Sequence, residues 1–257
     1  MNKLIQGKRW SGFDWADQQK EIMMIGAGGI GSWTCLSLSR IMHEIYIIDG
    51  DNVDETNVQG GQMYRQSDIG KSKVSAVAEI CNQFGCVNNL TPIKEMYSLD
   101  FGMMDICITG LDNMKARKEI FLEWENHTLA KDPAEYEDCL FIDGRMAGEL
   151  CEVFVVQGDH PEQIEEYKNW LFDDSEIEEL DCTMKQTTFV AMGIATFITA
   201  TFCNWLANKK MGAEFKEVPF HQRFFGPFLD YKTESVEQIK LNQNETITSE
   251  NGIVATS

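Results

Sequence analysis

A chain of 257 residues is long enough to bury a full hydrophobic core, and 43% apolar residues is ordinary for a globular domain. With 41 acidic against 22 basic side chains the formal charge is −19, a field that repels phosphate backbones and excludes nucleic acid as an expected partner. Eight cysteines without a CxxC pair exclude a disulfide framework and point to reduced thiols. The segment from Met1 to Trp10 has no apolar stretch of signal-peptide type, so a cytoplasmic protein is expected.

In chain order, Glu21 to Ile25 reads as a short buried strand running into a glycine turn, and 29–40 as a helix. Glu44 to Ile48 is a second strand, ended by the polar run Asp49-Gly50-Asp51-Asn52. A helix from about Gly70 to Phe84 follows, then a strand near Leu90–Lys94. Asp105 to Thr109 is another buried strand, and Asp112-Asn113 opens a helix to about Asn126. Leu140–Asp143 and Leu150–Val156 are later strands, and 159–182 is an acidic, irregular crossover. Gln186 to Asn208 carries no charged residue. Its length suits a bilayer, but its threonines and Asn204 suit a buried helix at the centre of a fold or at an oligomer interface, so no membrane is expected. Beyond Tyr231 the chain turns polar, and 232–257 is expected to be a poorly ordered tail after a domain spanning 1–231. Strands alternating with helices at this spacing predict a mostly parallel, doubly wound sheet.

Ile25-Gly26-Ala27-Gly28-Gly29-Ile30-Gly31 sets GxGxxG between a strand and a helix. Gly26 permits the tight turn, Gly28 lets a phosphate or sugar approach the backbone, and Gly31 lets the helix pack on the strand. Asp49, at the end of the second strand, is placed to accept ribose hydroxyls. Up to this point an adenylating enzyme and an NAD-dependent oxidoreductase fit equally.

The stretch beyond Asp49 separates them. Asp49/Asp51, Asn57 and Asp68-Ile69-Gly70-Lys71 recur in the order and spacing of the ThiF/MoeB/HesA family, as does Asp112-Asn113-Met114-Lys115-Ala116-Arg117. Over roughly residues 20–210 the chain resembles that family. The resemblance implies a Rossmann-like α/β fold with a C-terminal antiparallel extension, ATP and Mg²⁺ as cofactors, and adenylation of the C-terminal carboxylate of a ubiquitin-like protein or peptide. It further implies that Gly26, Gly28, Gly31, Asp49, Asp51, Asn57, Lys71, Asp112 and Asn113 line the nucleotide site. Lys71 and Asn57 would meet the phosphates, and Asp112 would hold the metal. Singly, these are a solvated lysine, a turn asparagine, an N-cap aspartate and a strand-end aspartate; jointly, at matched spacing, they carry the functional reading.

The chain also departs from the family. Gly60 and Gly61 stand where relatives carry a phosphate-clamping arginine. Arg65 and Arg145 are candidates to replace it, and Arg9 a candidate to reach a neighbouring subunit. The paired CxxC motifs that bind zinc in many relatives are absent, so no structural zinc is expected. Cys182-Thr183 resembles the acyl-accepting cysteine of activating enzymes, although a small residue packed before a helix reads equally well. The family is commonly dimeric, and a homodimer is expected. Three alternatives remain: a degenerate scaffold that binds without turnover, an NAD-dependent oxidoreductase, and a relative class that dehydrates a modified tRNA base, against which the charge counts.

Overall fold

The computed structural model describes residues 12–16, 18–41, 43–84, 89–172 and 186–243. Five short apolar runs form the parallel part of one sheet: β1 (Glu21–Ile25), β2 (Glu44–Ile48), β3 (Leu90–Ile93), β4 (Ile106–Thr109) and β5 (Leu140–Ala147). Three more strands continue it in antiparallel fashion: β6 (Leu150–Gln157), β7 (His221–Phe225) and β8 (Asp230–Glu234). The order across the sheet is β3-β2-β1-β4-β5-β6-β7-β8. This is the doubly wound, Rossmann-like architecture with the antiparallel extension.

Alternation along each strand divides the core in two. Ile22, Met24, Ile45, Ile47, Ile108 and Ile142 face α1 (Gly29–Arg40), α3 (Lys73–Phe84) and α6 (Thr188–Met211). Met23, Ile25, Ile48, Cys107 and Phe141 face α4 (Met114–Leu129) and α5 (Pro161–Lys168), with Phe121, Trp124 and Tyr167 fully enclosed there. Burial of strand residues on both faces explains why the parallel strands read as continuous apolar runs. Five of the six described free cysteines follow the same division. Cys35, Cys81 and Cys151 lie in the first layer, Cys107 and Cys139 in the second, and all five are buried.

The helix α6 is the one element long and apolar enough to cross a membrane among the described residues, yet Ile194, Ile198, Phe202 and Leu206 are wholly buried against the sheet and α1. Its opposite face leaves Phe189 and Met192 about half exposed.

Three local features differ from the expectations. The crossover expected to be irregular across 159–182 contains α5, where Pro161 sits in the first turn and Ile164 and Tyr167, three residues apart, are buried. Its acidic exterior hides that spacing. A five-residue helix, α2 (Glu55–Gln59), is closed by a capping box between Asp54 and Asn57. At the C-terminal side, the expected boundary at Tyr231 falls inside β8, and a helical stretch over 236–243 buries Val236 and Ile239 in the second layer.

Candidate functional site

In the register of the parallel strands Ile25 lies beside Ile48 and Thr109, and Thr109 beside Asp143. The carboxyl ends of β1, β2, β4 and β5 therefore open at one level. Chain order reverses between β1 and β4, and the crevice at such a reversal is where open α/β sheets bind ligands. The glycine loop sits there. Gly26 has φ +95° and its amide donates to the Ile48 carbonyl. A side chain on Gly31 would collide with the Gly26 carbonyl, whereas a Cβ on Gly28 would meet nothing within 4 Å among the described residues. No described residue thus covers Gly28 at the start of α1, a helix with no side-chain cap and no acidic residue in its first turn. Unclaimed N–H groups at a helix start favour an anion.

Asp49 closes one side. Its two oxygens accept from the Ala27 and Asp51 amides, both at 2.8 Å, which fixes the carboxylate against the loop. Gly110 and Leu111 wall the other side, close behind Gly26, and Asp112 and Asn113 follow them at the surface. Asn113 spends its side chain on capping α4, accepting from the Ala116 amide at 2.8 Å. Asn57 likewise accepts from the Asp54 amide at 3.0 Å as part of the α2 cap.

The lysine at the site is one the sequence reasoning passed over. Lys73, the first residue of α3, is mostly buried and pairs with Asp51 at 2.9 Å. Lys71 pairs instead with Asp68 at 3.0 Å and Glu79 at 2.9 Å, in an exposed cluster that also holds Arg65. Asp68 is buried and accepts from the Arg65 amide and guanidinium and from Lys71. Burial would raise its pKa, but these donors prevail and hold it at about 2. Asp68-Ile69-Gly70-Lys71 is thereby a turn: Gly70 has φ +87°, residues 52 and 72 form a bridge, and the Lys73 amide donates to the Asp51 carbonyl. The turn aims Lys73. The usable signal was the second lysine of Lys71-Ser72-Lys73, at the helix start.

Arg145 is enclosed in the second layer. Its guanidinium donates to Asp143 at 2.7 Å and to the Trp170 carbonyl at 2.9 Å, and stacks 4.4 Å from the Phe154 ring centre. Asp143 also accepts from Thr109, Tyr167 and Arg117. Burial raises the acid's pKa, but Arg117 and Arg145 outweigh that and hold it below the usual carboxylate range. Arg117, in turn, donates to the carbonyls of Leu111 and Gly144, fastening the loop that presents Asp112. Cys182 and Arg9 lie outside the described residues.

Gly60 and Gly61 are closely packed, Gly60 first of all against the Thr56 carbonyl. A Cβ on Gly60 would lie 2.9 Å from the Gln186 side-chain nitrogen, and one on Gly61, at φ +81°, would collide with Thr188. The same Gln186 amide lies against Gly29. Trp33 donates to the Gly61 carbonyl at 3.0 Å, the Met63 amide to the Ser32 hydroxyl at 3.1 Å, and Tyr64 to the Ala27 carbonyl. The loop after α2 is therefore sewn to the first turn of α1.

A glycine loop at the switch point, a strand-end carboxylate beside it and a lysine at the next helix thus meet in one crevice of the α/β sheet. The model of the ThiF family matches residues 15–248, and the chain belongs to that family. It is 31% identical over 140 residues to the NEDD8-activating enzyme E1 catalytic subunit of Saccharomyces cerevisiae, covering 50% of this chain and 44% of that protein. It is 29% identical over 105 residues to adenylyltransferase and sulfurtransferase MOCS3-1 of Zea mays, covering 38% and 22%. The chain spans less than half the length of these curated relatives. Among solved structures its fold is similar to Escherichia coli MccB, with TM-score 0.64 and 14% identity over 87% of this chain and 63% of that one.

Proposed function

We propose that this protein adenylates the C-terminal carboxylate of a ubiquitin-like protein or a peptide, using ATP and Mg²⁺. The observation that carries the reading is the convergence of Asp49, Gly28 and the Asp51–Lys73 pair at the carboxyl ends of β1 and β2. Relatives named as activating enzymes and as an adenylyltransferase support it, as does an MccB structure solved with ATP.

In this reading Asp49 holds the ribose and the first turn of α1 receives the phosphates. Lys73 offsets the charge that builds when the carboxylate oxygen bonds to the α-phosphorus and the bond to the β-phosphate oxygen breaks. The products are an acyl adenylate and pyrophosphate. Among the described residues no three His, Cys, Asp or Glu side chains converge on a metal position. A donor set of one carboxylate, Asp112, suits Mg²⁺, which takes few protein ligands and completes its shell with phosphate oxygens and water. When bound, it would supply neutralisation of phosphate charge. Transfer of the acyl group to a thiol would fall to Cys182. A homodimer accords with the exposed apolar pair of Phe189 and Met192 on α6. Buried free thiols accord with a cytoplasmic setting.

ATP–pyrophosphate exchange with candidate carboxylate peptides tests the proposal, alongside melting shifts with ATP·Mg²⁺ and with NAD. Exchange, and a shift with ATP only, is the expected result; a shift with NAD alone would overturn it. The second reading, a binding scaffold without turnover, is favoured by the filled space at Gly60 and Gly61. ATP binding without exchange on any carboxylate would select it.

A further inference from the structure

The amide of Gln186 lies between two glycines of different elements, Gly29 at the first residue of α1 and Gly60 at the end of α2. It reaches that place because the backbone of Gln186 bridges Gly148, at the turn between β5 and β6, and because Thr187 and Thr188 then start α6 against Gly61. Residues 186–188 are thus pinned over the glycine loop, with a polar, uncharged side chain at the positive end of α1. Neither glycine is needed for its own backbone angle: Gly60 has φ −76° and Gly29 begins a regular helix. Both are close against the same amide. Gln186 carries a donor and an acceptor that exchange places on a half-turn of its last torsion, so it can offer N–H to phosphate oxygens gathered at the start of α1.

We infer that Gln186 occupies the place of the absent arginine and binds the β- and γ-phosphates of a nucleoside triphosphate through its amide. The contact supplies a hydrogen bond without a charge, which leaves Lys73, among the described residues, as the cation facing the phosphates. This inference rests on the nucleotide reading above and deepens it. The pairing of glycines with Gln186 also makes the two alternatives exclusive: an arginine at 60 and a glutamine at 186 need the same volume.

Two measurements separate its parts. Isothermal titration of the full chain with ATP, AMP and adenosine reads the phosphate contact. Gln186→Ala should weaken ATP about tenfold and leave AMP and adenosine within about twofold, the size of one lost hydrogen bond to a charged group. Gln186→Glu, nearly the same shape, should weaken ATP by about a hundredfold or more, because a carboxylate there opposes the phosphates. Equal losses for adenosine and ATP, or a Gln186→Glu protein that binds ATP as wild type does, would overturn the contact. Melting of Gly60→Arg, Gln186→Ala and the double variant reads the shared volume. Gly60→Arg also crowds the Thr56 carbonyl, so it lowers the melting temperature in either background, but by distinctly less once Gln186 is Ala. Strict additivity would refute the shared volume. A wild-type chain that binds no ATP would sink the nucleotide reading and the phosphate contact together, while the melting cycle would still decide the shared volume.

Discussion

Asp143 offers the sharpest test of how the second layer supports the site. The residue is fully buried and takes hydrogen bonds from Thr109, Arg117, Arg145 and Tyr167. Asp143→Asn keeps the shape and leaves two guanidinium groups, of which Arg117 is only 5% exposed, without an anion between them. Removing one partner of a buried ion pair costs about 3–5 kcal/mol. The lower end applies here, because Arg117 keeps the carbonyls of Leu111 and Gly144 and Arg145 keeps the Trp170 carbonyl and the Phe154 ring. A loss of about 3 kcal/mol would lower the melting temperature of a domain this size by about 6–12 °C. Urea unfolding followed by circular dichroism gives the free energy directly. The loss should shrink in an Arg145→Met background, where one buried charge is already gone. A loss below about 1 kcal/mol, or one unchanged by Arg145→Met, would refute the argument that this carboxylate neutralises both arginines.

Lys73→Ala should lower pyrophosphate exchange by about a hundredfold, whereas Lys71→Ala, whose ammonium is committed to Asp68 and Glu79, should retain activity within about threefold; equal effects would remove the distinction between them. Gly31→Ala would force a methyl group into the Gly26 carbonyl and should abolish the ATP-dependent melting shift as well as destabilise the fold, and a variant that still binds ATP normally would contradict the loop geometry. His43 is buried, with its pKa lowered to about 4 by burial first and Lys20 second. Because the unfolded chain takes up that proton near pH 6.5 and the folded one only near 4, stability should fall by about 3 kcal/mol as pH drops through this window. Urea midpoints of His43→Gln should be flatter between pH 6.5 and 4 than those of the wild type.

The parallel strands and α1 were legible because each is a short apolar run or glycine-headed helix whose burial is set locally. Asp49 and the glycine spacing were legible for the same reason: β1, its turn and β2 are consecutive. Two kinds of feature were not. Short elements such as α2, closed by the Asp54 and Asn57 cap, and α5, held by Ile164 and Tyr167 beneath acidic residues, carry too few periodic positions to stand out. Through-space choices were hidden as well. Nothing in the order of residues says that Lys73 rather than Lys71 turns toward Asp51, that Arg145 joins Asp143 in the second layer, or that Gln186 returns to Gly60 from far along the chain. Each depends on which face of the sheet a later element covers.

The division of cysteines between the two faces of the sheet equips the protein with an internal stopwatch. Burial pushes the thiol pKa to about 11 at Cys81, about 12 at Cys151 and above the free value at Cys139, so none of them is a ready nucleophile while its layer is closed. A small alkylating reagent must wait for an opening, and the rate at which each thiol gains mass then reports how often its own layer parts. If Cys35, Cys81 and Cys151 are alkylated in step with one another but on a different schedule from Cys107 and Cys139, the face of the sheet covered by α1, α3 and α6 breathes independently of the face that carries Asp143. A single shared schedule would mean that the crevice opens only when the whole domain does.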